Sequence, residues 1–124
     1  MTDLLAIAAS WLDGRRRAYM AQTVTYARAG STVELLATGD RSQCDVERSD
    51  GSIVRSETRD WIVTAADLLL DGAAFEPAAG DEVRATVGGQ AVTYTVVSPA
   101  GEPCWQWEDG AHVTIRLRTK ETER

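Results

Sequence analysis

A catalytic reading of this 124-residue chain would have to use its single histidine, His112, or its two cysteines, Cys44 and Cys104. A hydroxyl or thiol nucleophile needs a base within hydrogen-bond reach, itself oriented by a third group. His112 lies in a strand pattern beside Gly110-Ala111, and nothing there supplies the geometry or activation such a site needs. Zinc sites draw on several Cys and His ligands at close spacing, and one His with two distant Cys do not supply them. Asp45, Glu47 and Asp50 are the densest carboxylates, but their spacing fails the calcium-loop template. Gly88-Gly89 precedes a β-type run rather than a helix, so it is no phosphate-binding loop. These residues imply no cofactor, no metal and no enzyme. Two cysteines without other signs of secretion read as reduced thiols.

What remains is charge and surface. The net charge is −6, unevenly spread. Residues 1–28 carry four arginines against two acids, whereas residues 29–82 carry twelve acids against four arginines. A nucleic-acid binder that grips phosphates would show a basic face, which this distribution lacks. An acidic surface past which DNA slides is compatible with it. Arg15-Arg16-Arg17 admits two readings: cations meeting the negative end of a helix dipole, or a docking patch for an acidic partner or a phosphate.

The elements that must carry these residues follow from periodicity. Thr2 can cap a helix with Asp3 in its first turn. Leu4, Ile7, Ala8, Trp11, Leu12 and Tyr19 recur at helical steps and predict a helix to about Met20, with Trp11 packed on the rest of the protein. Asp3 stands where a signal peptide would be basic, so the stretch reads as a helix of the mature protein, in the cytoplasm or a particle assembled there. No apolar run is long enough for a membrane span.

From Thr23 the period shortens to two. Strands are expected at Thr23–Tyr26, Val33–Ala37, Asp60–Val63, about Glu82–Thr86, Ala91–Val97, Trp105–Trp107 and Val113–Arg118. The polar tract 39–60 reads as an extended, partly mobile hairpin or loop, turning at Ser49-Asp50-Gly51-Ser52. Thr64-Ala65-Ala66-Asp67 resembles a capping box, which puts Leu68-Leu69-Leu70 in one helical turn closed by Gly72. Gly80-Asp81 and Gly88-Gly89 supply tight turns. Trp61 and one of Trp105 or Trp107 belong to the core by strand alternation. Lys120 to Arg124 reads as a loose tail.

The fold expected is mainly β with an α element (α+β). It is a small β-barrel or sandwich of five to seven antiparallel strands, with an N-terminal α-helix and one short helical turn. Residues 1–124 would make a single domain: helix 1–20, barrel 21–118 and flexible tail 119–124.

Taken in order, these elements resemble the head–tail joining (head-closure, or stopper) proteins of lambda-like long-tailed phages. The resemblance covers most of the chain. It rests on the helix ending Arg17-Ala18-Tyr19-Met20, on Trp61-Ile62-Val63-Thr64-Ala65-Ala66-Asp67-Leu68, and on Pro77-Ala78-Ala79-Gly80-Asp81. The returning strand to Val97-Ser98-Pro99, and Cys104 with Trp107 after it, complete the set. The chain departs in its longer, more acidic tract 39–60 and its more regular final strand. The resemblance implies a structural virion protein of the neck, assembled in the host cytoplasm. It implies a homo-oligomeric ring, six- or twelve-fold, that meets a portal or adaptor protein on one side. On the other side it meets a tail terminator or tail-tube protein, while double-stranded DNA passes without sequence recognition and no membrane is involved. Tail-completion or terminator rings, and non-viral small-barrel binding modules, are the alternatives. If the resemblance holds, contacts fall on the polar tract, the tail and the helix end: Arg15, Arg16, Arg17, Asp45, Glu47, Asp50, Arg118 and Lys120.

Overall fold

The computed structural model describes residues 4–123, leaving out the side chains of 19, 42–46, 55, 56, 100 and 123. The proposed cap at Thr2 and Asp3 lies outside the described residues. Helix α1 (Leu4–Tyr19) is followed by β1 (Gln22–Arg28), β2 (Ser31–Glu47) and β3 (Ile53–Thr64). Then come β4 (Leu69–Leu70), β5 (Ala73–Ala74), β6 (Glu82–Val87), β7 (Gln90–Val96), β8 (Trp105–Trp107) and β9 (Thr114–Glu123).

Six strands close on themselves in the order β3-β2-β1-β6-β7-β9, with β9 returning to β3 from Arg59↔Thr119 to Thr64↔Thr114. All pairings are antiparallel, and β8 adds a seventh strand against Trp105↔Leu117 to Trp107↔Ile115. Within the barrel, closure leaves no strand edge free, whereas beyond Ala37 on β2 and before Arg59 on β3 the two strands pair only with each other. The interior is filled by alternate residues of each strand: Val24 and Tyr26, Leu35 and Ala37, Trp61 and Val63, Val83 and Ala85, Val92, Tyr94 and Val96, Ile115 and Leu117. Trp61 meets Tyr94 edge-on at 5.5 Å between ring centroids, the geometry that aromatic quadrupoles favour.

The alternation of β9 places Ile115, Leu117 and Thr119 inside and Arg116 and Arg118 outside, as its sequence predicts. The strand does not stop there. Its last residues pair with β7, Lys120↔Thr95 and Glu121↔Tyr94, across a register shift. The segment 119–123, expected as a tail, is the part of β9 that joins it to β7 and so closes the barrel. Its polar composition misled because a short stretch on a barrel rim needs few apolar contacts once its backbone groups are paired.

The polar tract forms a ladder rather than a loop. β2 and β3 pair without interruption from Ala37↔Val63 to Glu47↔Ile53. The turn is held by Arg48 N–H to Ser52 O (2.8 Å) and Gly51 N–H to Arg48 O (2.9 Å). The described residues of this ribbon are mostly polar, so it shows no apolar alternation to read.

The Leu68-Leu69-Leu70 turn is corrected as well. Only Ala65–Asp67 is a 3₁₀ turn, and Thr64 makes no side-chain cap to it. Leu69–Leu70 instead pair with Ala73–Ala74. Asp71 and Gly72 both take positive φ, 52° and 80°, which defines a two-residue hairpin turn. A leucine run is compatible with helix or strand, and the Asp-Gly turn decides between them.

Candidate interaction surfaces

Helix α1 is fastened to the barrel by charge. Asp13 and Arg16 lie one turn apart and are 7% and 8% exposed. The Arg16 guanidinium donates to Asp13 Oδ1 from Nε (2.9 Å), and from Nη1 to Thr38 Oγ1 and the Ile62 carbonyl (2.9 Å each). Its Nη2 donates to Thr64 Oγ1 (3.2 Å), and the Thr64 hydroxyl donates onward to Asp13 Oδ2 (2.6 Å). A buried ion pair of this kind is stable only when its remaining donors and acceptors are met, and here the barrel meets them.

Residues 6, 9, 13 and 16 fall on one side of α1 at 100° per residue, and that side faces the barrel. Leu4, Ile7 and Trp11 lie on the opposite arc, while Leu5, Leu12 and Met20 border a groove between the helix and the barrel. Leu4 is 79% exposed and Trp11 63%, and Leu5, Ile7, Leu12 and, just past the helix, Met20 are half or more exposed. The expectation that Trp11 packs on the barrel is therefore wrong. Helical periodicity reveals that an apolar stripe exists but not which way it points. The readable signal was on the other face: alanines with Asp13 and Arg16 three residues apart.

The three arginines consequently do different things. Arg16 is interior and structural, so it belongs neither to a solvated helix end nor to an exposed patch. Arg17 forms an ion pair with Asp67 at 3.3 Å. Arg15 is exposed and lies over the Trp11 ring, 5.6 Å from its centroid. Glu47 and Asp50 are exposed at the far end of the β2–β3 hairpin. Asp50 Oδ1 accepts from the Ser52 N–H and hydroxyl (2.9 and 2.6 Å), contacts that hold its carboxyl below the usual range. The backbone of Asp45 is in the same ladder, but its side chain lies outside the description. Arg118 is occupied by Glu102 on the barrel wall, and Lys120 is exposed on β9. The eight candidates do not form one site. Along β3, Ile62 at the helix seat and Ile53 at the tip are nine residues apart, roughly 30 Å of extended chain.

Other charge clusters brace the barrel. Arg116 gathers Asp40, Asp60 and Glu108 at 2.8–2.9 Å. Its bonds to Glu108 first, then to Asp60 and Asp40, strengthen its hold on its proton. Inside the opposite wall Tyr26 donates its hydroxyl to Asp81, which also receives Arg28 Nη2 at 2.7 Å. Burial, reinforced by the bond to Asp81, pushes the Tyr26 phenol well above its ordinary value. For Asp81, burial pulls upward but is outweighed by Arg28, Tyr26 and the Ala78 N–H, which hold the carboxyl low.

His112 is not in a strand. It sits in a turn with φ of 59° and stacks on Trp107, 4.2 Å between centroids and 6° from parallel. Trp61 is fully buried and Trp105 packs partly against the core, while Trp107 stays more open. Burial raises the Cys104 thiol, whose Sγ lies 3.5 Å from the Pro77 carbonyl. Among the described residues no helix is long and apolar enough to cross a membrane.

The geometry is that of a closed barrel with two outlying features, an apolar helix face and an exposed hairpin tip. The family model described as phage head-tail joining protein matches residues 2–124. No curated protein matches the chain.

Proposed function

The chain belongs to the phage head–tail joining protein family, and from that premise we propose that it is a structural component of the virion neck. In this reading, copies form a ring at the portal vertex that closes the DNA-filled head and presents a surface to the tail. The observation that carries the reading, beside the near full-length family match, is the outward apolar arc of α1. Large apolar side chains exposed together on one helix face are the kind of surface that marks a protein contact. The family is a structural one, and the chain acts through its surfaces rather than through a reactive group.

Electrostatics fit passage of DNA. Residues 29–82 hold an excess of eight acids, so a ring of such subunits repels the duplex and gives it no phosphate grip. Assembly in the host cytoplasm, contact with a portal or adaptor ring on one side and contact with a tail terminator or tail tube on the other belong to the same proposal.

The test is a nonsense mutation in the gene within its phage. The expected result is packaged heads that lose DNA, free tails, and rescue on adding the purified chain to the lysate. Antibody to the chain should label the necks of wild-type particles. Normal tailed, infectious particles without the chain would contradict the proposal.

A further inference from the structure

We propose that α1 is a releasable arm: it leaves the barrel as one unit, pivoting at Met20-Ala21, while the six strands stay closed. Such an arm is a property of the single chain, independent of the neck reading above.

The joint between α1 and the barrel has no apolar core. Of the described side chains of α1, only Asp13 and Arg16 are buried, and no apolar one is. Ala6 and Ala9, on the same side, are small and half-buried. Beside them runs a groove of about 410 Å³, bordered by Leu5, Ala8, Leu12 and Met20 and by Ile62 of β3, which leaves that part of the junction unfilled. The fastening is one guanidinium. Arg16 ties Asp13, on its own helix, to Thr38 Oγ1, the Ile62 carbonyl and Thr64 Oγ1 on the barrel. The Arg17–Asp67 pair is partly exposed, and pairs of that kind add little.

A polar joint opens differently from a packed one. When the helix leaves, water takes up each group of the seat and little apolar surface is bared. The strands cannot part without exposing Trp61, Tyr94 and their neighbours. Helix and barrel are therefore separate cooperative units, and the helix opens first. Only Met20 and Ala21 lie between α1 and β1, so the pivot is short. Once free, a 16-residue helix with Gly14 inside it is marginal in water, and the arm frays. The Arg16 fork is the latch. A lysine there keeps the charge but brings a single ammonium, which cannot span Asp13, Thr38, Ile62 and Thr64 together.

The experiment is residue-resolved amide hydrogen exchange by NMR on the full chain, at increasing but sub-denaturing guanidinium chloride. It compares wild type, Arg16→Lys and Val92→Ala, the last a buried position on β7. In wild type, amides from Ala8 to Arg16 should share one opening. They should exchange about a hundredfold or more faster than amides central in β3 and β9, with a weaker dependence on denaturant. Arg16→Lys should speed exchange from Ala8 onward about tenfold and leave the barrel unchanged. Val92→Ala should speed the barrel and leave α1 unchanged. Equal protection and equal denaturant dependence in α1 and barrel would overturn the proposal. An Arg16→Lys effect confined to the last turn, which is end fraying, or one as large in β3 as in α1, would overturn it too.

Discussion

The barrel interior and the seat of α1 are built by opposite rules. Inside the barrel, Trp61, Tyr94, Val63, Ile115 and Leu117 exclude water and hold the strands by close packing. Under α1, Asp13 and Arg16 bind Thr38, Thr64 and the Ile62 carbonyl, and the helix turns its large apolar residues to solvent. Packing energy is non-directional, whereas a satisfied ion pair fixes one orientation. The difference separates a region held by packing from one in which an ion pair fixes which helix face is left exposed.

The sharpest way to break this contrast is to damage each region with one substitution. Trp61→Ala should cost about 3–5 kcal/mol, because it removes a fully buried indole from a closed core. Urea unfolding should show a lower midpoint with loss of the whole barrel. Asp13→Ala should cost about 2–3 kcal/mol, because Arg16 loses its buried partner unless the helix lifts away to let it hydrate. The expected signature is local: amide exchange speeds up across α1 while β3 and β9 keep their protection.

A third substitution tests the polar brace within the barrel wall. Asp81→Ala strands the Tyr26 hydroxyl and the Arg28 guanidinium and should cost about 2 kcal/mol. The pH dependence has a definite sign. The folded Asp81 carboxyl is held low, so its contribution is complete above the unfolded value of about 4. It disappears as pH falls through the lowered folded value. Tyr26 is held high, so its contribution is complete below about pH 10 and is lost as pH rises through the raised value. Urea titrations of wild type and variant should differ by a constant amount above pH 4 and converge only as pH falls from there through the lowered folded value. A constant gap at all pH values would show that the pair is not what Asp81 contributes.

The smallest stability effect falls on the outward arc. Leu4→Ser and Ile7→Ser should change folding free energy by no more than about 0.5 kcal/mol, since neither side chain is buried. A loss of several kcal/mol would mean that this face packs inward.

Most of the barrel was legible in the sequence. Strand alternation located β6, β7, β8 and the start of β9, and Gly88-Gly89 marked a real turn with φ of 58° and 80°. The β2–β3 ladder was half visible: Ser49–Ser52 announced its turn, but a ribbon of mostly polar residues has no apolar period to detect. The 119–123 segment was hidden for a related reason, since its hydrogen bonds to β7 involve the backbone, which composition does not report. The end of the helix was found to within one residue, yet its orientation was inverted. Only the three-dimensional alignment of Asp13 and Arg16 with Thr38 and Thr64, 22 or more residues away, decides which face is inside.

Hydroxyl-radical footprinting of the free chain and of assembled virions tests the central claim most directly. The account predicts that Trp11 and Ile53 are oxidised readily in the free chain and protected in the particle, while Trp61 is protected in both. Trp11 as protected as Trp61 in the free chain would contradict it.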